Sequence, residues 1–141
     1  MREVKRSALV NRDAAQLFAL INDIEAYPQF VPWCTHARVL SRTPSEIVAT
    51  LGVRQGALQG EFTTRNSLEP EQRVSMHLLS GPFRTLEGEW RLQPLAQGCE
   101  VSLTVRFAFK SRLTGLMFEP LFARTIESLV DAFVQRARAG P

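Results

Sequence analysis

Few groups in this chain could perform covalent or metal chemistry. Two cysteines, Cys34 and Cys99, and two histidines, His36 and His77, stand among 141 residues. The cysteines lie far apart with no Cys-x-x-Cys or Cys/His spacing, so neither a disulfide framework nor a zinc site is read from them. His36 follows a loop rich in proline and aromatics, and alternation puts His77 on the outward face of a strand. No motif links either histidine to a cysteine, serine or carboxylate, as a nucleophile–base pair would require. A phosphate loop, a dinucleotide fingerprint and a His-Glu-x-x-His sequence are all absent. Glu127 and Asp131 flank the apolar stripe of a C-terminal helix and read as solvated edges. No catalytic or metal-binding residue is assigned and no cofactor is required. The chain reads as a non-enzyme, with cyclase-type activity built from fold-distant residues as the open alternative.

The chemistry that the pattern does support is enclosure of an apolar ligand. Phe62, Met76, Trp90, Phe107, Phe109, Met117, Leu121 and Phe122 are large apolar residues expected to face one concavity. Thr64 and Asn66 interrupt that face with polar groups, and Trp90 carries an indole N–H donor. Phe30, Pro32 and Trp33 belong to the stretch Tyr27-Pro28-Gln29-Phe30-Val31-Pro32-Trp33-Cys34, whose prolines should hold the aromatics near the cavity entrance. The competing reading of all these residues is an ordinary core.

The elements that must position them follow from periodicity. Asp13-Ala14-Ala15-Gln16 is a variant capping box, and Leu17, Phe18, Leu20, Ile21 and Ile24 form a helical stripe behind it. Pro28 is expected to end that helix. From Cys34 to Lys110 the period becomes two, with turn signals at 43–45, 55–56, 69–71, 80–82 and 93–98. The inward faces read Ala37/Val39, Ile47/Ala49/Leu51/Val53, Phe62/Thr64/Asn66/Leu68, Val74/Met76/Leu78, Leu86/Gly88/Trp90/Leu92 and Val101/Leu103/Val105/Phe107/Phe109. Glu87, Glu89, Arg91, Ser102, Thr104 and Arg106 make the opposite face wet. A sheet apolar on one side needs one cover. Phe122, Ile126, Leu129, Val130, Phe133, Val134 and Ala137 supply it as a helix over about 120–137. Pro120 either opens that helix, with 112–118 as a separate turn, or kinks a longer one. Val4, Ala8 and Val10 add one further strand at the start. The fold class is α+β, a helix-grip arrangement of about seven antiparallel strands curved around a long C-terminal helix. Its order is β, α, a short α, six β, α, in a single domain over 1–141.

Composition agrees with a globular chain: 45% hydrophobic and 22% charged residues leave no disordered class. A net charge of +3, fifteen arginines included, is too small for a nucleic-acid signature, so no specific DNA partner is read. The excess gathers at the two ends, in Arg2, Lys5, Arg6 and Arg12 and in the last stretch that holds Arg136 and Arg138. If the termini meet, they form a modest basic face. With neither a membrane span nor a signal-like run, the expected place is the cytoplasm, with a peripheral position at the inner membrane as the variant.

Three spaced motifs carry a resemblance to a known family. They are Tyr27 to Cys34, Phe62-Thr63-Thr64-Arg65-Asn66, and Gly81-Pro82-Phe83-Arg84-Thr85-Leu86-Glu87-Gly88-Glu89-Trp90. Together they resemble the coenzyme Q-binding START-like family of the START/polyketide-cyclase superfamily, over about residues 3–138. The resemblance implies a helix-grip fold and a site for ubiquinone or a related polyprenyl quinone, in support of respiration. It adds Phe83 and Leu86 of the third motif to the candidate contacts. The Phe-Thr-Thr-Arg-Asn form is more similar to a bacterial branch of ribosome-association toxins, which implies the alternative partner, the large ribosomal subunit. Pro120 departs from the family pattern beside the expected pocket mouth.

Overall fold

In the computed structural model, which describes residues 1–139, the chain runs β1 (Arg2–Val10), α1 (Ala14–Asn22), a 3₁₀ helix (Ile24–Gln29), six strands and α2 (Arg112–Ala139). The six strands are β2 (Cys34–Thr43), β3 (Glu46–Gln55), β4 (Leu58–Glu69), β5 (Arg73–Ser80), β6 (Phe83–Leu95) and β7 (Gly98–Phe109). They form one seven-stranded sheet in the order β1-β7-β6-β5-β4-β3-β2. Every pairing is antiparallel, so β2 to β7 is a meander and β1 closes the far edge on β7. α2 lies against β1 and β7 and reaches β3 and β4, which is the helix-grip arrangement expected.

Local signals explain the elements. Asp13 caps α1: its carboxylate accepts from the Gln16 backbone N–H at 2.8 Å, and Gln16 Oε1 accepts from the Asp13 N–H at 3.2 Å. α1 ends at Asn22, well before Pro28, and the chain continues as a 3₁₀ turn that contains Pro28. Backbone bonds then fasten the aromatic loop, with Val31 N–H donating to Tyr27 at 2.8 Å and Arg54 N–H donating to Trp33 at 2.9 Å. The loop is thus hydrogen-bonded to β3 rather than free.

Of the two courses left open at Pro120, α2 takes the longer helix: it starts before the expected 120 and runs 28 residues from Arg112, about 42 Å long. Pro120 lacks the N–H that would bond the Leu116 carbonyl, a defect tolerable here because Leu116 is exposed and water can take the acceptor.

The core fills the space between sheet and α2. Phe83, Phe107, Phe109 and Phe122 form a ring cluster with centroids 4.8–6.3 Å apart. Most of these contacts are edge-to-face, the arrangement the ring quadrupole favours. A second group gathers on Phe133, with Tyr27, Phe30 and Trp90 at 5.1, 5.2 and 5.0 Å.

The termini do meet, and acids neutralise part of the basic face. Arg2 pairs with Glu119 at 3.4 Å, Arg6 with Asp131 at 3.0 Å, and Arg106 with Glu3 at 2.7 Å. Arg138 donates to the Leu9 carbonyl at 3.1 Å, and the Arg136 guanidinium sits 5.0 Å over the Phe30 ring. Among the described residues no helix is long and apolar enough to cross a membrane.

Candidate functional site

Between the two ring clusters lies a partly open cavity of about 60 Å³. β4 brings Phe62, Thr64 and Asn66 to it, because residues two apart on a strand share a face. β5 and β6 bring Met76, Leu86, Gly88 and Trp90, and α2 closes it with Phe122, Thr125, Ile126 and Leu129. Tyr27 and Trp33 wall the remaining side.

The polar groups in this apolar shell are few and identifiable. Thr64 and Asn66 are both buried, and Thr64 Oγ1 donates to Asn66 Oδ1 at 2.8 Å. Thr125 is fully buried on the cavity side of α2, and its hydroxyl donates to the Leu121 carbonyl at 3.0 Å. The Tyr27 hydroxyl donates to the Ile21 carbonyl, and burial raises its pKa far above the ordinary phenol value. It is a neutral wall group at any physiological pH. The two indoles differ from all of these, since neither the Trp33 nor the Trp90 N–H makes a hydrogen bond among the described residues; both residues are 2% exposed, and the Trp33 N–H is fully buried. Buried donors are nearly always satisfied; Trp33 belongs to the cavity wall, and its N–H, closed off from the open space of the cavity, would meet a ligand acceptor only as the wall shifts.

Gly88 sets the width of the site. A Cβ there would fall 2.6 Å from the Met76 methyl, so the flexible Met76 side chain occupies the room that the missing side chain leaves. Leu51, Phe62 and Met76 are the half-buried members of the wall. Sites for drug-sized ligands start at ~300 Å³. A ring therefore enters this small cavity only as such side chains turn aside.

Eight of the residues expected at the site line it: Trp33, Phe62, Thr64, Asn66, Met76, Leu86, Trp90 and Phe122. The others are placed elsewhere. Phe83 and Phe107 stand behind Phe122 in the ring cluster, as packed core. Phe30 packs on Tyr27 and Phe133, and Pro32 is exposed; neither lines the cavity. Leu121 lies over the β3–β4 turn, its methyl 3.6 Å from where a Gly56 Cβ would be. Met117 is 59% exposed. The core stripe of α2 runs Phe118, Phe122, Ile126, and at ~100° per residue Met117 points away from it. Thr125, which the sequence reading passed over, could have been found as the polar member of the stripe at Phe122, Ile126 and Leu129.

The thiols and imidazoles add no reactive centre. Burial pushes the Cys34 thiol up to about 11 and raises that of Cys99, so neither supplies a thiolate near neutrality. His36 Nε2 lies 2.8 Å from Glu61 Oε2 on the surface, and His77 is exposed on the outer sheet face. Among the described residues no group of His, Cys, Asp and Glu could hold a metal ion.

Comparison with known proteins places this geometry in a setting. A model of the polyketide cyclase/dehydrase and lipid transport family matches residues 10–134. The ribosome association toxin RatA of Escherichia coli is 38% identical over 139 residues, covering 98% of this chain and 88% of its own. Coenzyme Q-binding protein COQ10 homolog B, mitochondrial, of Xenopus laevis is 28% identical over 140 residues, covering 96% of this chain and 57% of its own. Among solved structures, the ZhuI aromatase/cyclase of a Streptomyces species superposes with a TM-score of 0.86, covering 97% of this chain and 93% of that one. At 20% identity that likeness is one of fold alone.

Proposed function

Starting from a chain that belongs to the polyketide cyclase/dehydrase and lipid transport family, we propose that it binds an apolar, ring-bearing lipid without transforming it. Ubiquinone or a related polyprenyl quinone fits the cavity's chemistry best. The observation that carries this reading is a largely apolar wall that includes Trp33, whose indole donor is orphaned, together with the Thr64–Asn66 pair. A quinone offers a flat ring for the wall and a carbonyl acceptor for the indole, and its prenyl tail adds apolar area. Burying ~400 Å² of such area at ~25 cal/mol/Å² contributes on the order of 10 kcal/mol gross, before the ordering of tail and wall offsets much of it. The resemblance to a coenzyme Q-binding protein supports the same class of ligand.

The test is extraction of the purified protein with organic solvent, followed by mass spectrometry of the lipids released. A quinone recovered in near-stoichiometric amount supports the reading. Recovery of phospholipid alone, or of nothing from protein purified without detergent, counts against it.

A second reading rests on a separate observation, the 38% identity to a ribosome association toxin across nearly the whole chain. On that reading the protein associates with the large ribosomal subunit through surface arginines. Because phosphate contacts release counterions, co-sedimentation with large subunits should fall steeply across a salt series. Association indifferent to salt would remove the electrostatic surface from the account. Respiratory support from the cytoplasmic side of the inner membrane accompanies the first reading, and a cytoplasmic partner the second.

A further inference from the structure

Three large apolar side chains stand open to solvent within five residues of α2: Leu113 at 68%, Leu116 at 80% and Met117 at 59% exposure. At ~100° per residue, positions 113, 116, 117 and 120 share one helix face, opposite Phe118 and Phe122, which point to the core. Exposed Pro120 continues the face. Single surface leucines need no explanation, whereas a contiguous apolar face on one helix does. Gly115, on the opposite side of the helix, faces Phe109, with 4.0 Å between the Phe109 Cβ and the place a Gly115 Cβ would take.

The unpaired charges nearest this face are cationic, and the first unpaired acid along it is Glu127, beyond Arg124. Lys110, Arg112 and Arg124 are exposed, and their side chains make no ion pair or hydrogen bond among the described residues. Glu119, the acid of the segment, is held by Arg2 at 3.4 Å. An apolar helix face flanked by cations is the composition that settles at the boundary between lipid headgroups and acyl chains.

We propose that the first turns of α2 dock this protein on an anionic phospholipid bilayer. Leu113, Leu116 and Met117 enter the headgroup–acyl boundary, and Lys110, Arg112 and Arg124 meet the phosphates. A second copy is a poorer occupant: a two-fold contact through this face would set the same unpaired cations against each other. Docked in this way, the bilayer lies beside Leu121 and the β3–β4 turn, one helical turn from the cavity wall at Phe122. The docking surface goes beyond the cavity reading and stands without it.

The experiment is flotation with quinone-free vesicles of phosphatidylcholine, with and without phosphatidylglycerol. The wild-type chain is expected to float with the anionic vesicles at low salt and to remain behind with neutral ones. Leu113→Asp combined with Leu116→Asp should lower the bound fraction about tenfold while the melting temperature stays unchanged, since both side chains are exposed. Lys110→Glu with Arg112→Glu should give a similar loss and a flatter salt dependence. Absence of flotation by the wild type, or equal flotation by the leucine variant, overturns the proposal. So does a concentration-dependent dimer that the leucine variant dissolves, or ribosome co-sedimentation that it abolishes, where vesicles are not bound. Flotation by protein that yields no quinone on extraction sustains the docking surface and defeats the cavity reading, so the two fail separately.

Discussion

Trp33 and Trp90 both wall the cavity and are both 2% exposed, yet replacing each with phenylalanine should do opposite things. The Trp33 indole N–H is buried without a partner. Removing an unsatisfied donor relieves ~1–3 kcal/mol, and the smaller ring loses on the order of 1–2 kcal/mol of packing. The two terms nearly offset, so Trp33→Phe should melt within about 4 °C of wild type, the shift that ~1 kcal/mol makes in a domain of this size. Its quinone affinity should fall about fivefold, the equivalent of ~1 kcal/mol for one net hydrogen bond. Trp90 packs edge-on against Phe133 at 5.0 Å. Trp90→Phe should therefore lose on the order of 1–2 kcal/mol of stability through the void it leaves, with little change in affinity once folded. Differential scanning calorimetry and a titration with short-chain quinone, read by the remaining tryptophan, measure both quantities. Unchanged affinity in Trp33→Phe would refute the donor's role. A loss of stability in Trp33→Phe larger than that in Trp90→Phe would refute the claim that its N–H is unsatisfied.

Stability should decline as pH rises from about 9 to 11. The buried Cys34 thiol keeps its proton to about 11 against 9.0 for a free thiol, and the buried Tyr27 phenol holds its proton higher still. The unfolded chain releases those protons first, so it binds fewer of them and gains on the folded state as pH increases. Urea midpoints across that range should fall, and fall less in Cys34→Ala; a flat profile counts against the burial effect. Pro120→Ala should stabilise the protein by about 1–3 kcal/mol, because it restores a helix hydrogen bond at an exposed position; an unchanged urea midpoint would contradict this. Gly98→Ala should cost more than about 2 kcal/mol, since φ is +104° and a Cβ would lie 2.3 Å from the Val10 carbonyl oxygen. Near-wild-type melting of that variant would mean the β6–β7 turn can move.

Sheet and helix were legible because their signals are local. Alternation in β3, β4, β6 and β7, turn residues between them, and the Asp13–Gln16 box each specify structure within a few positions. The same locality explains the misses. α2 runs through Pro120 where the helix is exposed and water can take the acceptor that a proline leaves unmatched, a fact about surroundings and not about spacing. The terminal arginines look like a free basic surface until β1 and α2 are brought together, when Glu119 and Asp131 meet Arg2 and Arg6. Alternation placed Thr64, Asn66, Met76, Leu86 and Trp90 on the cavity side, but loop residues have no such period. Trp33 accordingly lies in the wall, and Phe30 packs outside it. Thr125 hid within an apolar stripe because its hydroxyl satisfies itself on the Leu121 carbonyl one turn back.

The most direct test of the central claim is an NMR titration of the protein with a short-chain quinone in detergent-free buffer, following the two tryptophan indole N–H resonances and the backbone amides. Binding in the cavity predicts a large downfield shift of the Trp33 indole proton as it gains an acceptor, with saturable shifts at Thr64, Asn66 and Thr125. An indole signal of Trp33 that does not move while quinone saturates some other surface, or no saturable shift at all, would contradict the account.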